Sequence, residues 1–215
     1  MSSRRTFITQ VGVGAAASLL DAQELRAATV SAQSSAWDTS WIDKVAQAQF
    51  RVVFNASDIS DGAAMNYAST FLGDYREVHG TTDVQTRPVI VFRRNGTPMA
   101  FNDAMWEKYG IGADAKVTDS GAPAKRNVFW KPRPGASDQY GVMIETLNGR
   151  GLISLVCNVA TDNIGRRFAG QLGRPVEEVQ KDLKANLVPG AILVPSGIYA
   201  LIRAQNAGCA YMPGT

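Results

Sequence analysis

Residues 151–160 read GLISLVCNVA. The stretch 152–157 (LISLVC) is an unbroken apolar run of strand length, set off by Asn148-Gly149-Arg150-Gly151 before it. A strand that does not alternate apolar with polar residues is buried on both faces, as in a parallel sheet covered by helices on either side. Helical periodicity follows over 161–172, so the segment reads as strand, short turn, helix. Cys157 falls at the carboxyl end of that strand.

The same grammar extends in both directions. Downstream, PVEEVQKDL (175–183) opens a helix with proline in its first turn and acids at its positive end. AILVP (191–195) is a strand, Ser196 caps a helix over 197–205, Gly208 stops it, and 209–212 is a last strand. Upstream, FRVVFN (50–55) is a strand closed by Asn55-Ala56-Ser57-Asp58, and Ala64, Tyr67 and Phe71 mark a helix over 62–75. RPVIVFR (87–93) is a strand entered through proline, and NDAMWEKYG (102–110) a short helix with Asn102 or Asp103 as cap. Residues 114–137 read as an irregular polar stretch and 140–147 as a helix. Five apolar strands, mostly separated by helices, predict an α/β fold: a three-layer α/β/α sandwich with a mainly parallel, about five-stranded sheet. The sandwich is one domain over 48–215, preceded by a lead-in at 33–47 whose Trp37 and Trp41 share one helical face.

The N-terminus has a different character. Arg4-Arg5 stands directly before an apolar run that ends at Asp21, the pattern of a twin-arginine export signal. Thr9, Gln10, Gly12 and Gly14 interrupt the run, which is too short and too weakly apolar to span a bilayer. Val30-Ser31-Ala32 fits the small-residue cleavage rule, so residues 1–32 are expected to be removed after passage through the twin-arginine translocase to the periplasm. No stable membrane span is expected after cleavage.

Composition narrows the chemistry. The net charge of +3 is small and its basic residues are scattered, which speaks against nucleic acid as a partner. One local basic cluster runs from Lys125-Arg126 to Lys131-Pro132-Arg133 and reads as a solvated loop. His79 is the only histidine, so multi-histidine metal sites are excluded and no metal is expected. It precedes the second strand and therefore falls at the edge of the sheet away from ligands. Neither GxGxxG after the first strand nor GxxxxGK[ST] occurs, and no cofactor is expected.

In an open parallel sheet ligands bind beyond the carboxyl ends of the strands. That rule selects Cys157 as the candidate nucleophile, because unpaired N–H groups at the start of the following helix favour negative charge on sulfur. A buried cysteine acting as a small hydrophobe is the competing reading. The same edge collects Asn55, Ser57 and Asp58, the loop after Arg93-Arg94, and Pro195-Ser196 as a candidate binding pocket, in which the arginines would hold an anion, the competing reading being surface arginines spent in salt bridges. Cys209 begins a strand whereas Cys157 ends one. In parallel strands that separates the thiols by roughly 15 Å, too far for a disulfide, and two free thiols are expected.

On these segments the C-terminal half resembles the DsrE/DsrF-like family. The resemblance is carried by GLISLVCNVA (151–160), AILVPSG (191–197) and LIRAQNAGCAY (201–211), in order and spacing, while the first half is similar only as strand, helix, strand. NDAMWEKYG (102–110) is similar to a feature of a subgroup of exported, uncharacterised members. The resemblance implies a small α/β protein that assembles as a homo-oligomer. It implies a sulfurtransferase-like role in which Cys157 carries a persulfide or binds a small sulfur-containing compound, with Asn158 and the helix N-terminus as stabilisers. A non-catalytic ligand-binding or oligomeric structural module of the same fold is the alternative.

Overall fold

Strand β1, Phe50–Ala56, divides its side chains by parity: Val52, Phe54 and Ala56 enter one buried cluster and Val53 the other. The computed structural model describes residues 37–133 and 140–215. Of its two compact units, Met1–Trp37 and Asp38–Thr215, every element named below belongs to the second. Arg4, Arg5, the apolar run and the expected cleavage region lie outside the described residues.

Helix α1, Trp41–Ala46, precedes β1, and α2, Ala63–His79, follows it. Strand β2 is Thr86–Phe92, and a 3-10 segment over Arg94–Ala100 leads to the short helices α3, Asp103–Lys108, and α4, Ile111–Asp114. Two-residue strands β3, Thr118–Asp119, and β4, Ala122–Pro123, form a small antiparallel hairpin. Then come α5, Ile144–Asn148; β5, Ile153–Cys157; α6, Asn158–Leu172; α7, Val176–Ala185; β6, Ile192–Val194; α8, Gly197–Asn206; and β7, Ala210–Pro213.

The main sheet has the order β6-β5-β2-β1-β7, and every neighbouring pair is parallel. One face buries Phe54, Ile90, Phe92 and Val156 against α2 (Leu72), α6 (Ile164, Phe168) and α3 (Trp106). The other buries Val53, Val89, Val91 and Leu155 against α1 (Trp41, Val45) and α8 (Ala200, Ala204). The architecture is the three-layer α/β/α sandwich expected from the non-alternating strands. Each fully buried large side chain contributes about 1.5–3 kcal/mol, so the two apolar layers fix the strand ends in place. No helix among the described residues is long and apolar enough to cross a membrane.

Three local expectations are corrected. The helix expected over 140–147 is confined to Ile144–Asn148, because Gly141 adopts a positive φ of 75° and Met143 is extended. A side chain at Gly141 would also collide with Asn66, whose Oδ1 accepts from the Val142 N–H. The stretch read as irregular and polar carries core: Val117, Ala124, Val128 and Phe129 are buried. Asn127, fully buried, donates to the carbonyls of Met99 and Phe101 and accepts from the Phe129 N–H. Finally, α6 starts at Asn158 rather than near Thr161, so no turn separates it from β5.

Candidate functional site

Three strand ends meet at the carboxyl edge of the sheet, and each hands its chain to a turn or helix in a different way. At the end of β5, Cys157 is itself the N-cap of α6, its Sγ accepting the Ala160 N–H at 3.3 Å. The hydroxyl of Thr161 donates to the Cys157 carbonyl at 3.0 Å, fixing the same turn from below. At the end of β2, Arg93 stays extended and Arg94 takes a positive φ of 50°. That turn needs Gly96, where a Cβ would lie 2.3 Å from the Ala56 carbonyl oxygen. At the end of β6, the Ser196 hydroxyl caps α8 by accepting the Tyr199 N–H at 3.1 Å. Gly197 then lets the stem of Arg93 lie against the first turn of α8, since a Cβ there would sit 2.9 Å from Arg93 Cβ and Cδ.

These ends enclose a cleft of about 450 Å³ whose wall includes Cys157, Arg93, Arg94, Asn163, Arg167 and Ser196. Val159 and Ile198, both largely exposed, supply apolar surface to the same wall. Three arginines line the cleft and no acid does. Arg93 Nη1 donates to Asn55 Oδ1 at 3.4 Å, and Arg167 is paired with Asp114 at 2.6 Å. Arg94 has no hydrogen-bond or ion-pair partner among the described residues. A second hollow of about 290 Å³ shares Arg94, Asn95 and Arg167 and adds Asp58, Asp114 and Lys116. Asp58 spends both carboxylate oxygens on protein donors there, the Ile59 N–H at 2.8 Å and Asn95 Nδ2 at 3.1 Å.

The residues expected from sequence divide accordingly. Cys157, Arg93 and Ser196 stand together in the cleft, and Asp58 lines the neighbouring hollow. Asn55, Ser57, Asn158 and Pro195 do not line either space. Asn55 holds Arg93 and the Tyr211 hydroxyl, Ser57 closes a turn onto the Asn55 carbonyl, and Asn158 donates to Asp162 one helical turn on. Asn163 and Arg167 were not anticipated. Their signal was present as helical spacing from Cys157 through Ala160 and Ile164 to Arg167, all on the cleft wall.

Other candidates fall into structural roles. His79 is exposed at the end of α2 and stacks on Phe50 with centroids 5.3 Å apart, at the amino edge of the sheet. In the basic loop, Arg126 and Arg133 both pair with Asp119, and Lys131 lies over the Trp130 ring. Trp106 is fully buried and donates to the Pro98 carbonyl. Tyr109 stacks on Phe168 of α6 with centroids 5.4 Å apart and donates to Asp182 at 2.6 Å. Burial, and then that hydrogen bond, push the Tyr109 phenol above its ordinary range. Burial acts upward on Asp182 too, but hydrogen bonds from Lys108 and Tyr109 outweigh it and hold the carboxyl below the ordinary value. Both thiols are free. Cys209 precedes the row that pairs Val52 with Ala210, whereas Cys157 pairs with Val194 at the far end of the sheet. Burial pushes the Cys209 thiol up to about 12, with nearby Arg51 acting in the opposite sense. Among the described residues no group of three or more His, Cys, Asp or Glu side chains could hold a metal ion.

The site belongs to the class of strand-end clefts on open parallel sheets. No protein-family model matches this chain, and no curated protein matches it. A solved structure described as a protein of unknown function from Methanobacterium thermoautotrophicum is similar over 76% of this chain and 98% of that one, at 15% identity and a TM-score of 0.40. Likeness at that level assigns neither family nor function.

Proposed function

We propose that this is an exported, sulfurtransferase-like protein in which Cys157 takes up a sulfur atom from a small compound and passes it on. The observation that carries the reading is a strand-end thiol on the wall of an arginine-lined cleft. The order of GLISLVCNVA, AILVPSG and LIRAQNAGCAY, similar to DsrE/DsrF-like proteins, supports it, and Arg4-Arg5 supports export to the periplasm through the twin-arginine translocase. Assembly as a homo-oligomer is part of the same reading, supported by the exposed edge strand β7. In the step itself the Cys157 thiolate attacks the outer sulfur of a low-molecular-weight persulfide anion. The new S–S bond leaves a persulfide anion on Cys157, the donor's S–S bond breaks, and its thiolate departs with the electron pair. Charge and oxidation state balance without a further reagent.

Intact-protein mass on material recovered from the periplasm tests both halves. After treatment with glutathione persulfide, wild type should gain the mass of one sulfur atom, mapped to Cys157, and Cys157→Ser should gain none. Absence from that fraction refutes export, and an unmodified Cys157 refutes sulfur uptake. One observation favours non-catalytic binding as the second reading: Cys157 is only 6% exposed, with its sulfur engaged by the Ala160 N–H. Unchanged ligand retention in Cys157→Ser would decide for it.

A further inference from the structure

We infer that the Cys157 cleft selects compounds bearing an oxyanion, a carboxylate or a sulfonate, and that Arg94 is the residue that grips it. This deepens the reading above and rests on it for placing the ligand beside Cys157. Six arginines among the described residues pair with acids: Arg76, Arg126, Arg133, Arg150, Arg167 and Arg174. Arg51 and Arg87 are spent on backbone carbonyls and Arg166 on Asn163, which leaves Arg94 and, toward the other end of α8, Arg203 without a hydrogen-bond or ion-pair partner among the described residues. Arg93 and Arg94 form no ion pair among the described residues, though Asp58 lines the hollow that Arg94 also borders. Asp58 instead satisfies its oxygens with the Ile59 N–H and Asn95.

Charge is thus polarised across the two connected spaces. The arginines Arg94 and Arg167 border both, the acids Asp58 and Asp114 border only the hollow away from Cys157, and the Cys157 side has none. Planar guanidinium groups present paired donors that match an oxyanion. Arg93 cannot swing away freely, because its stem is packed on Gly197 and its head is tied to Asn55. Arg94 sits on a backbone turn with φ of 50°, a conformation that non-glycine residues adopt rarely, and lines the cleft from there. The starts of α6 and α8, capped by Cys157 and Ser196, add positive helix ends at the same edge. A ligand whose anionic group meets Arg94 lies in the same cleft as Cys157.

Paired alkylation tests this. Iodoacetate and iodoacetamide deliver nearly the same electrophile with and without a carboxylate, so the ratio of their rates at Cys157 cancels thiol reactivity and access. Relative to the unfolded chain, the folded protein should favour iodoacetate by roughly three- to tenfold, as expected for a few partly exposed ion pairs. Arg94→Ala, a change at an exposed position, should remove about half or more of that preference, and salt of about 1 M should suppress it. A ratio equal to that of the unfolded chain, with iodoacetamide still reacting fast, overturns oxyanion selection and leaves the thiol reading standing. If Cys157 reacts with neither reagent, the sulfur-uptake reading fails, and methanesulfonate titration by NMR decides the inference alone. Saturable shifts lost in Arg94→Ala support it, and their absence overturns it.

Discussion

The two cysteines are equally hidden, Cys157 at 6% exposure and Cys209 at 7%, yet they sit at opposite ends of the sheet in opposite surroundings. Cys209 lies in the apolar layer under α8. Above it Arg51 is spent on the carbonyls of Ala46 and Ala48. Cys157 borders a cleft with three arginines, and its sulfur meets a backbone N–H. Burial therefore does not separate a structural thiol from a candidate reactive one. What separates them is which partners the nearby polar groups already have: at the amino edge Arg51 is satisfied by carbonyls, and at the carboxyl edge Arg94 is not.

The largest expected effect comes from breaking the carboxyl edge alone. Gly96→Ala would set a Cβ 2.3 Å from the Ala56 oxygen, a backbone atom that cannot rotate aside. The β2 turn must shift, at a cost of about 3 kcal/mol, and Arg93 and Arg94 move with it. Denaturant unfolding measures the loss, and the iodoacetate preference at Cys157 should fall in step. The Cys209 environment, on the far side of the sheet, should keep its resistance to labelling in the folded protein. Equal labelling of Cys209 in this variant would show that the two ends are not independent.

A second test sharpens the amino edge. Burial raises the Cys209 thiol from its ordinary value near 9.0 to about 12. Between these values the unfolded chain releases a proton that the folded chain keeps, so stability falls as pH rises through that window. The slope approaches about 1.4 kcal/mol per pH unit where the difference is one full proton. Below about pH 9 the thiol contributes no slope. Cys209→Ala should flatten the curve between about pH 9 and 10, above which Tyr109, whose phenol is raised from an ordinary value of 10.0, adds a slope of the same sign in both proteins. If the wild-type slope persists in Cys209→Ala, the desolvated thiol is not its source.

The strands and long helices were legible because their signals are local: FRVVFN, RPVIVF and LISLVC are apolar runs of strand length, and the helices between them carry spaced apolar residues. The failures arise where structure is dictated from a distance. Phe129 and Val128 are buried through Asn127, whose partners Met99 and Phe101 stand more than twenty residues away, and nothing in the local composition announces it. At the site, the rule that ligands gather at strand carboxyl ends located Cys157, Arg93 and Ser196. Of the other residues it named, Asn55, Ser57 and Pro195 do not line the cleft, because the rule gives an edge and no side-chain direction. Arg167 was missed although its spacing from Cys157 follows the α6 face, because the helix was read as starting three residues late.

That late start has its own cause, and it sets the smallest expected effect. The usual caps are serine, threonine, asparagine and aspartate, so a cysteine is not read as one. Here Cys157 and Ser196 perform the same task on α6 and α8, accepting N–H groups at 3.3 Å and 3.1 Å. Ser196→Ala removes the acceptor outright and should cost about 1 kcal/mol. Cys157→Ser exchanges a weak sulfur acceptor for a preferred oxygen one, so the gain at the cap offsets the cost of a hydroxyl in a small buried space. The net change in unfolding free energy should stay within about 0.5 kcal/mol. If instead Cys157→Ser destabilises the chain by as much as Ser196→Ala, the sulfur is held chiefly by apolar packing, as Cys209 is. The contrast between the two ends would then rest on the arginines alone.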